Sequence, residues 1–239
     1  PEFDKGRSLL AEVDTAWQSL IALTEHQYAA VDTILDNKKV VVKGGAGTGK
    51  TLVAIRAAEE LDQQRVKVLF LCRNPVLASF LKARLRRTEV LVLDFLAFRE
   101  RIESGTLQSF DALIVDEGQD MLDMTSIGLL DEAILGGFVD GRWYFFTDPN
   151  NQGALYADIE AEALDYLREC SASVPLSRNC RNTRQIALQT LLYTGGDIGR
   201  GSIDSEGVPV KTKGLKFSTT GELASLIENQ LSEWIDDES

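Results

Sequence analysis

A glycine-rich octapeptide between an apolar run and a helix-like stretch constrains this chain more than any other segment. It consists of Gly44-Gly45-Ala46-Gly47-Thr48-Gly49-Lys50-Thr51 and fits the pattern G-x-x-x-x-G-K-S/T at every fixed position. The preceding Val40-Val41-Val42 predicts a buried strand, and residues 50–62 predict a helix. This strand–loop–helix context is the one that the pattern requires. The alternative is a glycine-rich turn that happens to precede a helix.

The residue types of the octapeptide indicate phosphate binding. Glycines permit positive φ and leave no Cβ in the way, so successive backbone N–H groups can surround an anion. The helix that starts near Lys50 points its positive dipole end at the same anion. We predict that the Lys50 ammonium reaches the β- and γ-phosphates of a nucleoside triphosphate and that the Thr51 hydroxyl ligates Mg²⁺. The cofactor-binding residues predicted in this segment are Gly45, Ala46, Gly47, Thr48, Gly49, Lys50 and Thr51.

Composition and cysteine usage narrow the class of protein. The chain has 239 residues, which suits one large or two small domains, and its hydrophobic content of 44% is ample for a core. No apolar run approaches the ~20 residues of a membrane span, and no signal-peptide pattern is present. The three cysteines show neither metal-binding nor disulfide spacing. We expect reduced thiols, a cytoplasmic setting and no membrane partner.

The net charge of −12 bears on the partners of the chain. A nucleic-acid binder usually carries a basic surface, because neutralising phosphates supplies most of its affinity. Any basic surface here must therefore be local, and the densest cluster of cations is Lys82, Arg84, Arg86 and Arg87. The alternative interpretation of that cluster is a solvated helix end. The sequence indicates no particular oligomeric state.

Strand-like and helix-like segments alternate along the chain, which predicts an α/β fold with a mainly parallel sheet flanked by helices. The predicted strands are 39–43, 66–71, 90–93, 111–115, 143–147 and 173–176. The predicted helices are 8–22, 25–36, 50–62, 75–87, 124–135, 158–169 and 182–193. Residues 195–202 are predicted to be a linker, followed by one more strand at 208–213 and a helix at 221–234.

A second constellation of functional residues follows the apolar run Leu113-Ile114-Val115. This run ends in two carboxylates, Asp116 and Glu117. In a protein with a phosphate-binding loop, an aspartate at this place holds Mg²⁺ and a following glutamate activates the attacking water. An isolated Asp-Glu pair is often only a strand leaving the core. Paired with the loop at 44–51, it predicts Asp116 as a metal ligand and Glu117 as the general base.

Several motifs, in order, carry a resemblance to a known family. They are Leu23-Thr24-Glu25-His26-Gln27, the loop at 44–51, Leu69–Pro75, Asp116-Glu117-Gly118-Gln119-Asp120, Phe145–Gln152 and Leu176–Thr183. Together they resemble the motifs of superfamily 1 DNA helicases of the UvrD/Rep type. The nearest variety is the small helicase that is fused to nuclease-related domains. The resemblance covers residues 23–186.

This resemblance implies a RecA-like core in which ATP hydrolysis drives movement along single-stranded DNA. It implies that Gln27 reads the adenine edge and that Gln152 couples the γ-phosphate to DNA. It also implies that Arg181 acts as an arginine finger, a role worth ~10³–10⁵ in rate. The register around Gln152 is ambiguous because Asn151 precedes it, so Gln152 is alternatively a plain polar loop residue.

The resemblance also suggests a division into domains. We interpret residues 1–22 as an N-terminal helical extension, in which Pro1-Glu2-Phe3 looks like a cloning remnant. Residues 23–176 would form the first RecA-like domain, which binds ATP. Residues 177–239 would form part of a second RecA-like domain, since the family's fifth and sixth motifs are missing. We therefore expect further domains in a longer protein and weak activity of this chain alone.

Two departures from the family weaken the case for DNA binding. The aromatic residue that stacks on bases is replaced by Asp158, and a DNA contact normally written Thr-Phe-His-Ser is here Asp94-Phe95-Leu96-Ala97. Base–aromatic stacking contributes ~1–3 kcal/mol per base. Our leading hypothesis is an ATP-hydrolysing helicase motor. The alternatives are a helicase-like ATPase that acts as a nucleotide-dependent switch or assembly module, and a helicase accessory to a nuclease domain outside this chain.

Overall fold

The computed structural model describes residues 25–148, 161–183, 188, 190, 192, 200–203, 219, 221 and 224–229. A six-stranded, all-parallel sheet with the strand order β3-β2-β4-β5-β1-β6 forms its centre. Helices flank the sheet, which confirms the predicted α/β fold of RecA-like type.

The elements are, in chain order, α1 (Glu25–Asp36), β1 (Lys39–Gly44), α2 (Lys50–Gln63), β2 (Val68–Cys72), α3 (Pro75–Arg84), β3 (Leu91–Asp94), α4 (Phe95–Glu103), β4 (Ala112–Val115), a 3-10 turn (Gly118–Met121), α5 (Met124–Ala133), α6 (Gly137–Asp140), β5 (Arg142–Thr147), α7 (Ala161–Glu169), β6 (Ala172–Leu176), β7 (Arg178–Thr183) and β8 (Arg200–Ile203). Strands β7 and β8 form a separate two-stranded parallel sheet.

The register of the main sheet aligns the carboxyl ends of four strands. Val115 of β4 pairs with Phe145 of β5, which pairs with Val41 of β1. Gly44, the last residue of β1, pairs with Leu176, the last residue of β6. Because all these strands run parallel, the chain leaves each of them at the same edge of the sheet. This edge is the usual position of ligand sites in open α/β sheets.

Alternate side chains of the strands enter two hydrophobic layers, as the two-residue period of a strand requires. Tyr144 and Phe146 pack on one face with the helices α1, α2 and α3. Trp143 and Phe145 pack on the opposite face with α4, α5, α6 and α7. All four aromatic side chains are fully buried, and they lie in the strand that was predicted at 143–147.

Several features differ from the sequence-based predictions. Helix α4 was not predicted, although the side chain of Asp94 accepts a hydrogen bond from the Ala97 N–H at 3.0 Å and so caps its first turn. Strand β7 continues to Thr183, where a helix was predicted from residue 182, and residues 200–202 belong to β8 and not to a linker. The predicted helix at 8–22 and strand at 208–213 lie outside the described residues.

The chain divides into two compact units, Pro1–Gly207 and Val208–Ser239. The first contains the main sheet. In the second, the described residues 221 and 224–229 are helical. The proposed boundaries at residues 22 and 176 stay a prediction. Among the residues that the structure describes, no helix combines the length and apolarity that crossing a membrane would need.

Phe138 provides a test of the second hydrophobic layer. Its side chain is buried, and its ring centroid lies 5.1 Å from that of Trp143 and 5.9 Å from that of Phe145. We predict that Phe138→Ala lowers the free energy of unfolding by about 3–5 kcal/mol, because it leaves a cavity between rings that cannot close around it. Urea denaturation followed by tryptophan fluorescence measures the change.

The neighbouring Val139 is the matched control, since its side chain is 70% exposed. Val139→Ala should change the free energy of unfolding by no more than about 0.5 kcal/mol. Equal denaturation midpoints for the two variants would contradict the packing described here.

Candidate functional site

The loop between β1 and α2 has the backbone form that its glycines allow. Gly47 and Gly49 adopt φ values of 83° and 85°, in the left-handed region that residues with a Cβ seldom occupy. The Thr48 hydroxyl donates to the Gly45 carbonyl at 2.8 Å and closes the turn from within. Helix α2 begins at Lys50, directly after the second of these glycines. The N-terminus of α2 therefore opens from this loop.

Lys50 is buried at the base of the loop. Only 6% of the residue is exposed, and its Nζ donates to the carbonyls of Gly44 at 2.8 Å and Gly45 at 3.4 Å. Its Nζ also lies 3.6 Å from an Asp148 carboxylate oxygen at the end of β5. A buried ammonium needs such partners, because an unpaired charge away from water is costly. The same geometry places a fixed cation beside the loop.

Thr51, in the first turn of α2, contacts Asp116, which follows the last residue of β4. The Thr51 hydroxyl donates to Asp116 Oδ2 at 2.7 Å, and Asp116 is fully buried. Burial is the main cause that raises the pKa of Asp116 to about 6, and the nearby Glu117 carboxylate adds to it. A hydroxyl and a carboxylate side by side are oxygen ligands of the kind that Mg²⁺ takes, with waters and phosphates completing its shell. The donor set therefore fits the predicted cation.

Glu117 stands at the end of β4 in a strained backbone conformation. Its φ is 52°, which is uncommon for a residue with a side chain. Its carboxylate accepts a hydrogen bond from Gln119 Nε2 at 2.7 Å, and the residue is partly exposed. The carboxylate is thus held in place while still open to solvent, as a group that activates water must be.

Gln119 links two strand ends and was not predicted to have a role. It is buried, and while its amide nitrogen holds Glu117, its Oε1 accepts from the Asp148 N–H at 3.1 Å. A continuous path of contacts therefore runs from Glu117 through Gln119 to Asp148 and on to Lys50. Gln119 lies inside the Asp-Glu-Gly-Gln-Asp motif, so the sequence contained a signal for it without indicating the partner.

Gln27 of α1 packs against the outside of the loop. It is buried, and its Nε2 donates to the Thr48 carbonyl at 2.9 Å and lies 3.7 Å from the sulfur of Cys180. A Cβ on Gly49 would lie 2.1 Å from this nitrogen. The structure thus brings Gln27 to the loop, and its predicted contact with adenine stays a prediction.

Asn179 and Cys180 of β7 also contact the loop. Asn179 is fully buried and its Nδ2 donates to the Ala46 carbonyl at 2.9 Å. The backbone N–H of Cys180 donates to the Gly47 carbonyl at 2.9 Å. Neither residue was predicted to belong to the site, although both lie within the Leu176–Thr183 motif.

Two predicted site residues are not placed by the structure. Arg181 follows Cys180 in β7, but its side chain is outside the described part of the structure. Gln152 lies outside the described residues altogether. The predicted roles of both residues therefore stay predictions.

A cavity of about 440 Å³ opens beside Glu117. Arg73 lines it, donates to the Asp120 carbonyl oxygen at 2.8 Å and stacks over the ring of Phe95. Asp120 also lines it, and the Asp120 Oδ1 atom is buried with no hydrogen-bond partner among the described residues. Burial raises the pKa of this carboxyl. The cavity joins the predicted catalytic glutamate to Arg73, Asn74 and Pro75 at the end of the motif 69–75.

Comparison with known proteins identifies one family similarity. Residues 37–147 match the model of the Schlafen group 3 DNA/RNA helicase domain. The matched segment contains the glycine-rich loop, Asp116 and Glu117, but it ends before Asp148 and Asn179. The similarity supports a helicase-like domain, and it does not extend to the UvrD/Rep type specifically. No curated protein gives a significant match.

The tight packing at Gly49 generates a prediction. Alanine at this position would strain the backbone because φ is 85°. It would also force Gln27 away from Thr48, because the new Cβ would clash with Gln27 Nε2 at 2.1 Å. We predict that Gly49→Ala destabilises the fold by about 1–3 kcal/mol. Thermal or urea denaturation measures this change.

Gly128 is the matched control, since it lies within α5 with open space where a Cβ would be. Gly128→Ala should stabilise the protein by about 0.5–1 kcal/mol, because alanine loses less conformational entropy in a helix. A neutral or stabilising effect of Gly49→Ala would show that the loop geometry is not as described.

Proposed function

We propose that this chain is the ATP-binding and ATP-hydrolysing domain of a helicase-type motor of superfamily 1. The observation that carries the proposal is the contact path Glu117–Gln119–Asp148–Lys50, which ties the predicted water-activating carboxylate to the predicted phosphate-binding lysine. A helicase-like domain is supported independently by the similarity over residues 37–147.

In this mechanism each group has a separate task. The glycine loop and the N-terminus of α2 would hold the phosphates through backbone N–H groups. Thr51 and Asp116 would ligate Mg²⁺, which supplies neutralisation of charge on the phosphates when it is bound. Lys50 would exchange its hydrogen bonds to the Gly44 and Gly45 carbonyls for phosphate oxygens. Glu117, oriented by Gln119, would accept the proton of the attacking water.

The proposal includes single-stranded DNA as the track, with the cavity lined by Arg73 as the adjoining surface. A second function, a nucleotide-dependent switch or assembly module that does not move along DNA, is favoured by the net charge of −12. Fluorescence anisotropy with single-stranded DNA at increasing salt separates the two functions. Affinity that falls steeply with salt supports the motor, whereas no binding at low salt supports the switch.

Removal of the Lys50 ammonium tests the nucleotide site. We predict that Lys50→Ala weakens ATP·Mg²⁺ binding by about 100-fold or more, because it removes charge-assisted hydrogen bonds to the phosphates. Isothermal titration calorimetry measures the affinity. Lys82→Ala is the matched control, since it removes an equal charge from an exposed position on α3. Unchanged affinity of Lys50→Ala would refute the proposed site.

Replacement of Glu117 separates binding from hydrolysis. We predict that Glu117→Gln retains ATP affinity and lowers the hydrolysis rate by about 10²–10⁴, the range expected for loss of a general base. A phosphate-release assay measures turnover, using the longest form of the protein that can be prepared. Glu100→Gln, an equal change on the exposed side of α4, should leave turnover unchanged. Retained hydrolysis in Glu117→Gln would exclude Glu117 as the base.

A further inference from the structure

Three consecutive carbonyls of the glycine loop accept hydrogen bonds from outside the loop. The Ala46 oxygen accepts from Asn179 Nδ2 and the Gly47 oxygen accepts from the Cys180 N–H, each at 2.9 Å. The Thr48 oxygen accepts from Gln27 Nε2, also at 2.9 Å. The donors come from α1 and β7, which lie before and after the region matched by the helicase family. We call these three contacts the carbonyl brace.

The sheet register explains why β7 reaches the loop. Gly44 and Leu176 are paired at the ends of β1 and β6, so the chain leaves both strands side by side. A Cβ on Gly44 would lie 3.0 Å from the Leu176 carbonyl, which shows how closely the two strand ends approach. Strand β7 begins only two residues after Leu176. The contacts of β7 with the glycine loop thus follow from the pairing of β1 with β6 and require no long connecting segment.

The outer side of the loop is closed by the same side chains. A Cβ on Gly47 would lie 2.6 Å from Asn179 Oδ1. A Cβ on Gly49 would lie 2.1 Å from Gln27 Nε2. Both donor residues are almost wholly buried. The loop therefore packs against Asn179 and Gln27 on its outer side.

Because the peptide bond is planar, a hydrogen bond that holds a loop carbonyl also fixes the direction of the next residue's N–H group. In a trans peptide, the carbonyl of one residue and the N–H of the next point in opposite directions. Fixing the carbonyls of residues 46, 47 and 48 therefore fixes the direction of the N–H groups of Gly47, Thr48 and Gly49. The Thr48 N–H itself donates to the Gly45 carbonyl at 3.3 Å, so the N–H groups that the brace would direct toward the phosphates are those of Gly47 and Gly49.

We propose that Asn179 and Gln27 are positioning residues, which orient the phosphate-binding N–H groups by holding the loop carbonyls. This inference rests on the proposed function of the loop and specifies how that site is regulated. Since Asn179 and Cys180 lie in the strand that also carries Arg181, movement of β7 would withdraw two of the three brace contacts together with the predicted arginine finger. Phosphate affinity then depends on where β7 lies.

The inference predicts a different outcome from adenine reading by Gln27. Loss of a base contact weakens binding of ATP but not of inorganic tripolyphosphate, which has no base. Loss of the brace weakens both ligands by the same factor. Comparing the two ligands therefore separates the roles without reliance on activity.

The experiment uses two neutral variants with side chains of similar length, Asn179→Leu and Gln27→Met, which remove the donor without adding charge. Titration calorimetry with ATP·Mg²⁺ and with tripolyphosphate should show each affinity reduced about ten-fold for each variant. Ser177→Ala and His26→Ala, at exposed neighbouring positions, are the controls and should bind as the unmodified chain does. If Asn179→Leu does not fold, Asn179→Ser, whose hydroxyl stops short of Ala46, should give the same loss.

A spectroscopic measurement tests the brace in the protein without nucleotide. With glycine labelled by ¹⁵N, the amide resonances of Gly47 and Gly49 should shift in Asn179→Leu and Gln27→Met, while that of Gly128 stays in place.

Unchanged affinities of the two variants for both ligands, together with unshifted resonances, would overturn the inference while leaving the proposed function intact. Weaker ATP binding with unchanged tripolyphosphate binding would overturn it for Gln27 in favour of base reading. An unmodified chain that binds neither ligand would instead refute the proposed function.

Discussion

The candidate site depends on the parallel register of the central sheet. Gly44, Val115, Thr147 and Leu176 end four neighbouring strands at one edge, and every residue placed in the site lies on a segment that touches that edge. Apart from Ser126, the buried polar side chains of the described residues lie there too. Burying a polar group without a hydrogen bond is costly, and, apart from Asp120 Oδ1, these side chains are bonded into a network of contacts at this edge.

The network contains buried ionisable groups, with which a charged ligand would interact strongly. Lys50 and Asp148 are almost wholly buried and lie within 4 Å of one another, while Asp116 is fully buried against Thr51. Charges interact more strongly in such surroundings than in water. A phosphate and a cation arriving at this edge would therefore compete for partners that are already engaged. Under the proposed function, a ligand would have to replace the contacts that Lys50 makes with the loop carbonyls and Asp148.

Much of the fold could be predicted from the sequence, because the strands are continuous apolar runs and the loop pattern specifies its own flanks. The six strands of the main sheet were all anticipated, with bounds shifted by one or two residues. Helix α4 was missed because the apolar residues of β3 continue into Phe95 and Leu96, which hides the change of period at the cap Asp94. At the end of β7 the local pattern favoured a helix from residue 182, but pairing with β8 keeps the chain extended through Thr183.

The site could be predicted only where its residues share a local motif. The loop, Asp116 and Glu117 belong to such motifs. Asn179 contacts Ala46, which is 133 positions away along the chain, and Gln119 contacts Asp148, which is 29 positions away. The spacing of residues within a short motif does not predict contacts between residues so far apart in the sequence. Tertiary contacts of this kind follow from sheet order, which the alternation of strands and helices leaves undetermined.

At Glu117, the residue that would best stabilise the left-handed backbone is not the residue that supplies the carboxylate of the proposed function. Among the described residues with a side chain, only Arg65 shares a positive φ, and it lies away from the site. Glycine would relax this conformation, which costs on the order of 1 kcal/mol, but it would remove the carboxylate. Selection for a more stable protein and selection for a proton acceptor would therefore favour different residues here. Under the proposed function, Glu117 thus combines a conformational cost with a carboxylate that glycine would lack.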